Sequence, residues 1–171
     1  SSIASFAWGC GEEVARQLAN NLIDAIALAK REGRRVYVID QYWVGEPLRN
    51  KVAKHLADAT WIRFDESTDE WAPFLRKLTK QLQADGVQDI TVAGVWYDPK
   101  LKEGCATQVY LHLKKNWPQT KVDISLVGCL CHEEDGEGAV GALDNPSVAP
   151  FHPTDPGMQP STFALRILMG L

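Results

Sequence analysis

The sequence predicts an α/β fold: a three-layer α/β/α domain with a mostly parallel, doubly wound sheet of about five strands. Two observations predict it. Apolar runs of strand length alternate with amphipathic helical segments along the chain. In addition, Val36–Asp40 is almost entirely apolar, as expected for a parallel strand buried on both faces. The length of 171 residues fits one substantial core, so we interpret residues 1–171 as a single domain.

The elements follow from local patterns. Glu12–Arg31 is predicted as a helix because apolar residues recur every four positions and Gly33 supplies a stop signal. Residues 129–160 are rich in Gly, Pro and acids and predict a long loop or lid, and residues 162–171 predict a short closing helix. In chain order, the elements predicted before these are strand Ile3–Trp8, helix Glu12–Arg31, strand Val36–Asp40, helix Pro47–Ala57, strand Trp61–Phe64, a helix from near Asp69 to Gly86, strand Ile90–Trp96, a helix around Cys105–Lys115, and strand Val122–Cys129.

Composition and charge narrow the function classes. The net charge is −4, and no cluster of Lys and Arg interleaves with aromatic residues, which argues against nucleic acid as a partner. No apolar run approaches the roughly 18 residues needed to cross a membrane, and residues 1–13 lack the features of a signal peptide. Four cysteines are too few for a disulfide scaffold, so we expect a reducing, cytoplasmic environment.

Ligands of parallel sheets bind outside the carboxyl ends of the strands. That rule places the candidate site among four strand ends, at residues 9–11, 40–43, 96–98 and 128–132. Trp43, Trp61, Trp71 and Trp96 lie at or near strand ends and predict an aromatic pocket for a small molecule. Tyr97 and His132 also stand at strand ends and are predicted to bind it. The alternative is that the tryptophans belong to the core or to a dimer interface.

Cys105 is the candidate nucleophile. If its helix begins at Gly104, the thiol sits in the partial positive charge of a helix N-terminus, which favours the reactive thiolate. If the helix begins at Pro99, Cys105 aligns with Leu101 and Val109 and simply packs on the helix. Spacing alone leaves both interpretations open.

Five features follow one another between Ala57 and Cys129: Trp61-Ile62-Arg63 in a strand, Trp71 at a helix start, Gly94-Val95 at a strand end, then Cys105 and Thr107. This order resembles the core of the isochorismatase-like cysteine hydrolases. The resemblance implies hydrolysis of a small amide or ester, with Cys105 as nucleophile and the backbone near Gly104 as an oxyanion site. We predict no cofactor.

The sequence departs from that family's pattern in its charged partners. Arg63 stands where the family has a Lys, and no Asp closes the first strand, so Asp40 at the end of the second is the nearest candidate base. Arg stays charged and is a poor proton carrier. A catalytically silent relative, binding a small molecule or serving as an oligomer subunit, is therefore the competing hypothesis.

Two further sets of residues have side chains suited to metal binding or ester hydrolysis. Cys129, Cys131 and His132 are ligand types that bind zinc, but structural zinc sites usually show two such motifs and here there is one, so we predict no metal. Asp144 and His152 resemble the final block of SGNH esterases, although they stand eight residues apart and no Gly-Asp-Ser motif precedes them. An esterase using these two residues is a third hypothesis, and a turn-rich tail is its alternative.

Overall fold

The structure is a computed structural model that describes residues 12–41, 51–64, 68–98, 100, 102, 104–132, 138–140 and 163–170. Helices and parallel strands alternate along these residues, which confirms the α/β class. The predicted strand Ile3–Trp8 lies outside the described residues. The elements are α1 (Glu12–Arg31), β1 (Arg35–Gln41), β2 (Thr60–Phe64), α2 (Trp71–Ala84), β3 (Asp89–Tyr97), α3 (Cys105–Asn116), β4 (Lys121–His132), β5 (Gly138–Val140) and β6 (Phe163–Gly170).

The described strands pair mostly in parallel. β1 pairs with β2 and β3 pairs with β4, both in parallel. β6 lies between these two pairs, parallel to β1 on one side and to β3 on the other. The resulting order is β2-β1-β6-β3-β4-β5, in which only the short β5 is antiparallel to its neighbour.

The end of the chain differs from the prediction. Residues 163–170 form strand β6 rather than a closing helix. Ala164 of this strand is paired with Arg35 on one side and Ile90 on the other, so the backbone finds hydrogen-bond partners on two neighbours. A helix of this length is only about two turns and is marginal without such support. The predicted loop of 129–160 is also shorter, because β4 continues to His132 and β5 follows at Gly138–Val140; its other residues lie outside the described part.

Two helices end as the sequence predicts, at glycines. After α1, the Arg34 N–H donates to the Ala29 carbonyl at 2.8 Å, and Gly33 adopts a φ of 67°. This is a Schellman motif, which satisfies the last carbonyls of a helix and favours glycine at the left-handed position. Gly86 ends α2 in the same way, with a φ of 71°. Of the predicted helix 47–57, only 51–53 is helical among the described residues.

β1 is buried on both faces, as its apolar sequence predicts. Tyr37 and Ile39 belong to a cluster with the apolar faces of α2 and α3, whereas Val36 and Val38 are buried outside that cluster. Alternation along a strand sends these two pairs to opposite faces. α1 contacts β1, β4, β5 and β6, and no helix among the described residues is long and apolar enough to cross a membrane. We call the set that contains Tyr37 and Ile39 the apolar cluster; its other members include Phe64, Phe74, Leu75, Leu78, Leu82, Ile90, Val92, Tyr97, Val109, Leu113, Val122 and Cys129.

Polar groups join the amino ends of the strands to the end of α2. The Tyr37 hydroxyl donates to Asp85 Oδ2 at 2.7 Å, and Arg35 Nη1 donates to the Asp85 carbonyl at 3.1 Å. The hydrogen bond from Tyr37 holds the pKa of Asp85 below its usual value. Burial raises the pKa of Asp89 nearby, against the opposing effect of Lys121. The two carboxylates therefore act on stability with opposite signs.

Replacement of Gly86 tests the helix stop. A Cβ at this position would meet no atom within 4 Å, so the cost of Gly86→Ala comes only from its φ of 71°. We expect the free energy of unfolding to fall by about 1–2 kcal/mol, measured by urea denaturation. Gly86→Asn should cost less, because Asn tolerates the left-handed region better. Equal losses in the two variants would contradict this explanation.

The opposite pKa shifts of Asp85 and Asp89 give a pH prediction. Asp85 has a lowered pKa, so its ionised form stabilises the fold above the ordinary aspartate pKa of about 3.9, and this contribution is lost as the pH falls through the lowered value. Asp89 has a raised pKa, so its ionised form costs stability at neutral pH and not below pH 3.9, roughly. We expect Asp85→Asn to destabilise and Asp89→Asn to stabilise the protein at pH 7. Both differences should shrink in urea titrations near pH 3; effects of the same sign at pH 7 would contradict the assignment.

Candidate functional site

The carboxyl ends of β1, β2 and β3 lie at one edge of the sheet, where the sequence predicts the site. In backbone register, Asp40 is paired with Arg63. Leu168 of β6 is paired with both Ile39 and Gly94, so Asp40 lies one residue further toward this edge than Gly94. Two strand spacings separate β1 from β3, which is roughly 10 Å. The register thus brings the backbones of Asp40 and Arg63 together, at some distance from the end of β3.

Helix α3 begins at Cys105. Gly104 is its N-cap residue with a φ of 88°, a value that favours glycine, and the Gln108 N–H donates to the Gly104 carbonyl at 2.9 Å. Of the two helix starts open to sequence reasoning, the structure has the one at Gly104. Cys105 is half-buried in the first turn and packs against the apolar cluster. The thiol therefore lies at a helix N-terminus, one loop after the carboxyl end of β3.

A buried hydrogen bond sets this helix start. The Asp98 N–H, at the end of β3, donates to Thr107 Oγ1 at 2.7 Å. Thr107 is fully buried, and Asp98 is 8% exposed. Asp98 Oδ1 accepts the Lys100 N–H at 3.1 Å, which turns the chain as it leaves the strand. Asp98 lies in the strand end 96–98 where the sequence predicts the site, but it has no predicted role; its signal in the sequence is an acid directly before Pro99.

The loop that follows is also held from the helix side. Lys102 has a φ of 57°, and its carbonyl accepts a hydrogen bond from Gln108 Nε2. A non-glycine residue in the left-handed region costs conformational energy, so this local shape is maintained by its contacts. Together with the Asp98–Thr107 bond, it fixes the path from β3 to Cys105.

The predicted aromatic residues have different environments. Trp71 is half-buried and packs with Phe64 and Phe74, at ring-centroid distances of 4.7 and 5.5 Å. Its Nε1 atom is buried with no hydrogen-bond partner among the described residues. Tyr97 is buried edge-to-face against Tyr110 at 6.3 Å. Trp71 borders the apolar cluster, as Cys105 does, and Tyr97 belongs to it; all three lie on the same side of the sheet.

Arg63 is placed differently. Ile62 and Phe64 face the apolar cluster, so by strand alternation Arg63 lies on the opposite face of β2 and is exposed. Cys105 packs against the cluster itself. The sheet therefore separates the Arg63 side chain from the thiol. The Asp40 side chain lies outside the described part.

For the remaining predicted site residues, the structure describes the backbone of two and nothing of three. His132 is the last residue of β4 and is paired with Gly138, and Trp96 lies in β3; their side chains are outside the description. Trp43, Asp144 and His152 lie wholly outside the described residues. Among the described side chains, which do not include those of Cys131 and His132, no group of three or more His, Cys, Asp or Glu could hold a metal ion.

The geometry at Cys105 has a definite chemical meaning. The first N–H groups of a helix have no carbonyl partner within the helix and carry partial positive charge. Such groups favour a thiolate over a thiol, and they can accept the negative oxygen that forms when a nucleophile attacks a carbonyl. Comparison with known proteins adds no family to this description: neither a scan against protein-family models nor a search of curated proteins finds a match.

The Asp98–Thr107 bond can be tested by substitution. Thr107→Val keeps the shape of the side chain but leaves the buried Asp98 N–H without its acceptor, so we expect a loss of about 1–3 kcal/mol in urea denaturation. Thr107→Ser retains the hydroxyl and should lose less. If the valine variant proved as stable as the wild type, the bond would not hold the start of α3.

Proposed function

We propose that the protein is a small-molecule hydrolase of the isochorismatase-like type, acting on an amide or ester through Cys105. The observation that carries the proposal is that α3 begins at Cys105, directly after the loop that leaves β3. A nucleophile at a strand-to-helix turn combines thiolate stabilisation with nearby N–H donors. The matching architecture, also proposed, is a three-layer doubly wound sheet, supported by the burial of β1 on both faces.

The chemistry follows in two steps. The Cys105 thiolate adds to the carbonyl carbon of the substrate, and the oxygen, now negative, accepts hydrogen bonds from N–H groups near Gly104. The C–N or C–O bond then breaks, and the leaving amine or alcohol takes up a proton, which leaves a thioester on Cys105. Water adds to that thioester and releases the acid and the thiol.

A base must deprotonate the thiol and the attacking water. Asp40 remains the proposed base, since it lies near the carboxyl end of β1, at the edge of the sheet where α3 begins. Arg63 carries a permanent charge and lies across the sheet from Cys105, so its proposed role is a long-range electrostatic one rather than proton transfer. The proposed binding residues are Trp43, Trp71, Trp96, Tyr97, Gly104 and His132.

A silent binding relative is the second candidate, and the position of Arg63 favours it. Arg63 lies on the opposite face of the sheet from Cys105, so the cation that stands at this point in the family pattern is not beside the thiol here. Such a protein would bind a small molecule, or form an oligomer, without turnover. The esterase hypothesis with Asp144 and His152 stays a prediction.

Thiol labelling tests the proposal. Iodoacetamide at pH 7 should modify Cys105 before the buried Cys129, as read by peptide mass spectrometry, because the helix N-terminus favours its thiolate. Against activated short-chain esters, Cys105→Ala should reduce kcat/KM by a factor on the order of 10⁴, and the wild type should accumulate an acyl adduct on Cys105. Cys129→Ala serves as the matched control.

The same measurements separate the alternatives. A reactive Cys105 without ester or amide turnover would favour the silent relative. Turnover that survives Cys105→Ala but is lost in His152→Ala would favour the esterase. An unreactive Cys105 in the folded protein would overturn the proposal.

A further inference from the structure

A cavity lies at the opposite edge of the sheet from Cys105. It has a volume of about 320 Å³, is partly open to solvent, and is bordered by the last turn of α1, residues 58–59 and the first residues of β1 and β2. Such a volume is at the small end of the range for ligand sites, enough for an anionic group with a short organic skeleton. The cavity thus lies at the amino ends of the strands, away from the proposed hydrolase chemistry.

Three of the seven residues that line the cavity are cations. Lys30, Arg34 and Arg35 contribute three positive charges, and Asp58 contributes one negative charge to the lining. The lining itself therefore has a net charge of +2 in a chain whose net charge is −4, and Glu32, the partner of Arg34, offsets one of the cations. The three cations come from the end of α1 and the start of β1, and they converge because Gly33 turns the chain between them.

The backbone places Arg34 at this cavity. The Schellman motif after α1 binds the Arg34 N–H to the Ala29 carbonyl, and the Arg34 side chain, 11% exposed, pairs through Nε with Glu32. Holding the guanidinium in one position reduces the entropy lost when a ligand binds. A guanidinium fork suits the planar or tetrahedral oxygens of carboxylates and phosphates.

Lys30 has a partner that an incoming anion can replace. Its Nζ lies 3.2 Å from Asp58 Oδ2, and the side chains are 38% and 83% exposed. Exposed pairs of this kind contribute little to stability, because solvent screens the attraction between the two charges. A multivalent oxyanion that also reached Arg34 would therefore compete well with Asp58 for Lys30. The Thr60 side chain, exposed at the start of β2, adds a hydroxyl donor to the same lining.

We propose that this cavity binds a small multivalent oxyanion, a phosphate ester or polycarboxylate, through Lys30, Arg34 and Arg35. The site is separate from Cys105 and does not depend on the proposed hydrolase activity. Asp58 opposes binding, because it occupies Lys30 and repels a negative ligand.

Two substitutions should change the affinity for the anion in opposite directions. Isothermal titration with pyrophosphate and with citrate, at low salt, should give saturable binding to the wild type. Lys30→Met should weaken it about tenfold, as expected for the loss of one charge-assisted hydrogen bond. Asp58→Asn should strengthen it. Stronger binding of pyrophosphate would identify the phosphate class, and stronger binding of citrate the carboxylate class.

Lys80→Met is the matched control, since it removes one positive charge from the basic outer surface of α2, where Arg76 and Lys77 also lie. It should leave the affinity unchanged, as should Cys105→Ala. Circular dichroism would verify that Lys30→Met and Asp58→Asn, both at exposed positions, remain folded. Absence of saturable binding, equal losses in Lys30→Met and Lys80→Met, or no gain in Asp58→Asn would each overturn the proposal.

Discussion

One buried hydrogen bond, from the Asp98 N–H to Thr107 Oγ1, determines where α3 starts and hence what Cys105 can do. Without it, the chain after β3 could continue as helix from Pro99, which would place Cys105 more than a turn inside. With it, the end of the strand is tied to the third residue of the helix. Gly104 then takes the left-handed conformation that lets the backbone enter the helix at Cys105.

The tie works because both of its ends are anchored in the core. Tyr97, just before Asp98, is buried in the apolar cluster, and Ala106 and Val109 on α3 are fully buried in the same cluster. The loop between them has little freedom to slide, since a shift of the helix start would turn apolar residues away from the cluster. Packing therefore fixes the position of the thiol to the same degree that it fixes α3. This is how a core built from ordinary apolar contacts holds a reactive group in a defined place.

The parts of the fold that depend on local sequence alone can be predicted from the sequence. The bounds of α1 were predicted as the structure has them, because a four-residue period and Gly33 agree on one answer. The last strand was predicted wrongly as a helix: in FALRILMG, apolar residues satisfy both helical and strand spacing, and only pairing with β1 and β3, distant in sequence, selects the strand.

The candidate site can be predicted from the sequence only in part, because its geometry also depends on contacts between residues that are distant in sequence. The sequence places Cys105 after a strand end, but the choice between two helix starts rests on the contact with Asp98, nine residues away from Thr107. Arg63 fits the family pattern by order along the chain. Its face of the sheet, however, depends on which neighbours, Ile62 and Phe64, reach the apolar cluster. Order in sequence constrains which strand end a residue occupies, whereas the face is decided by packing.

The parallel sheet also makes its two edges chemically unequal. Helices that connect parallel strands run against them, so their N-termini lie at the carboxyl edge and their C-termini at the amino edge. Basic residues occupy the last turns of α1 and α3, where they offset the negative ends of the helices: Lys30 and Arg31 in α1, Lys114 and Lys115 in α3. These cations at the amino edge therefore stabilise the helices, whether or not they also bind a ligand.

What distinguishes the two helix ends is the partner of each lysine. Lys114 donates to the Tyr110 hydroxyl at 2.8 Å and lies over that ring, so its charge is engaged within its own helix. Lys30 instead reaches across to Asp58 beside a cavity, in an exposed pair that a ligand can break. Both helices end in lysines that offset the negative end of the helix dipole. Lys114 of α3 is engaged by Tyr110, whereas a ligand can displace Asp58 from Lys30 of α1. The proposed anion site arises there because a helix end that needs positive charge adjoins a cavity at the amino ends of β1 and β2.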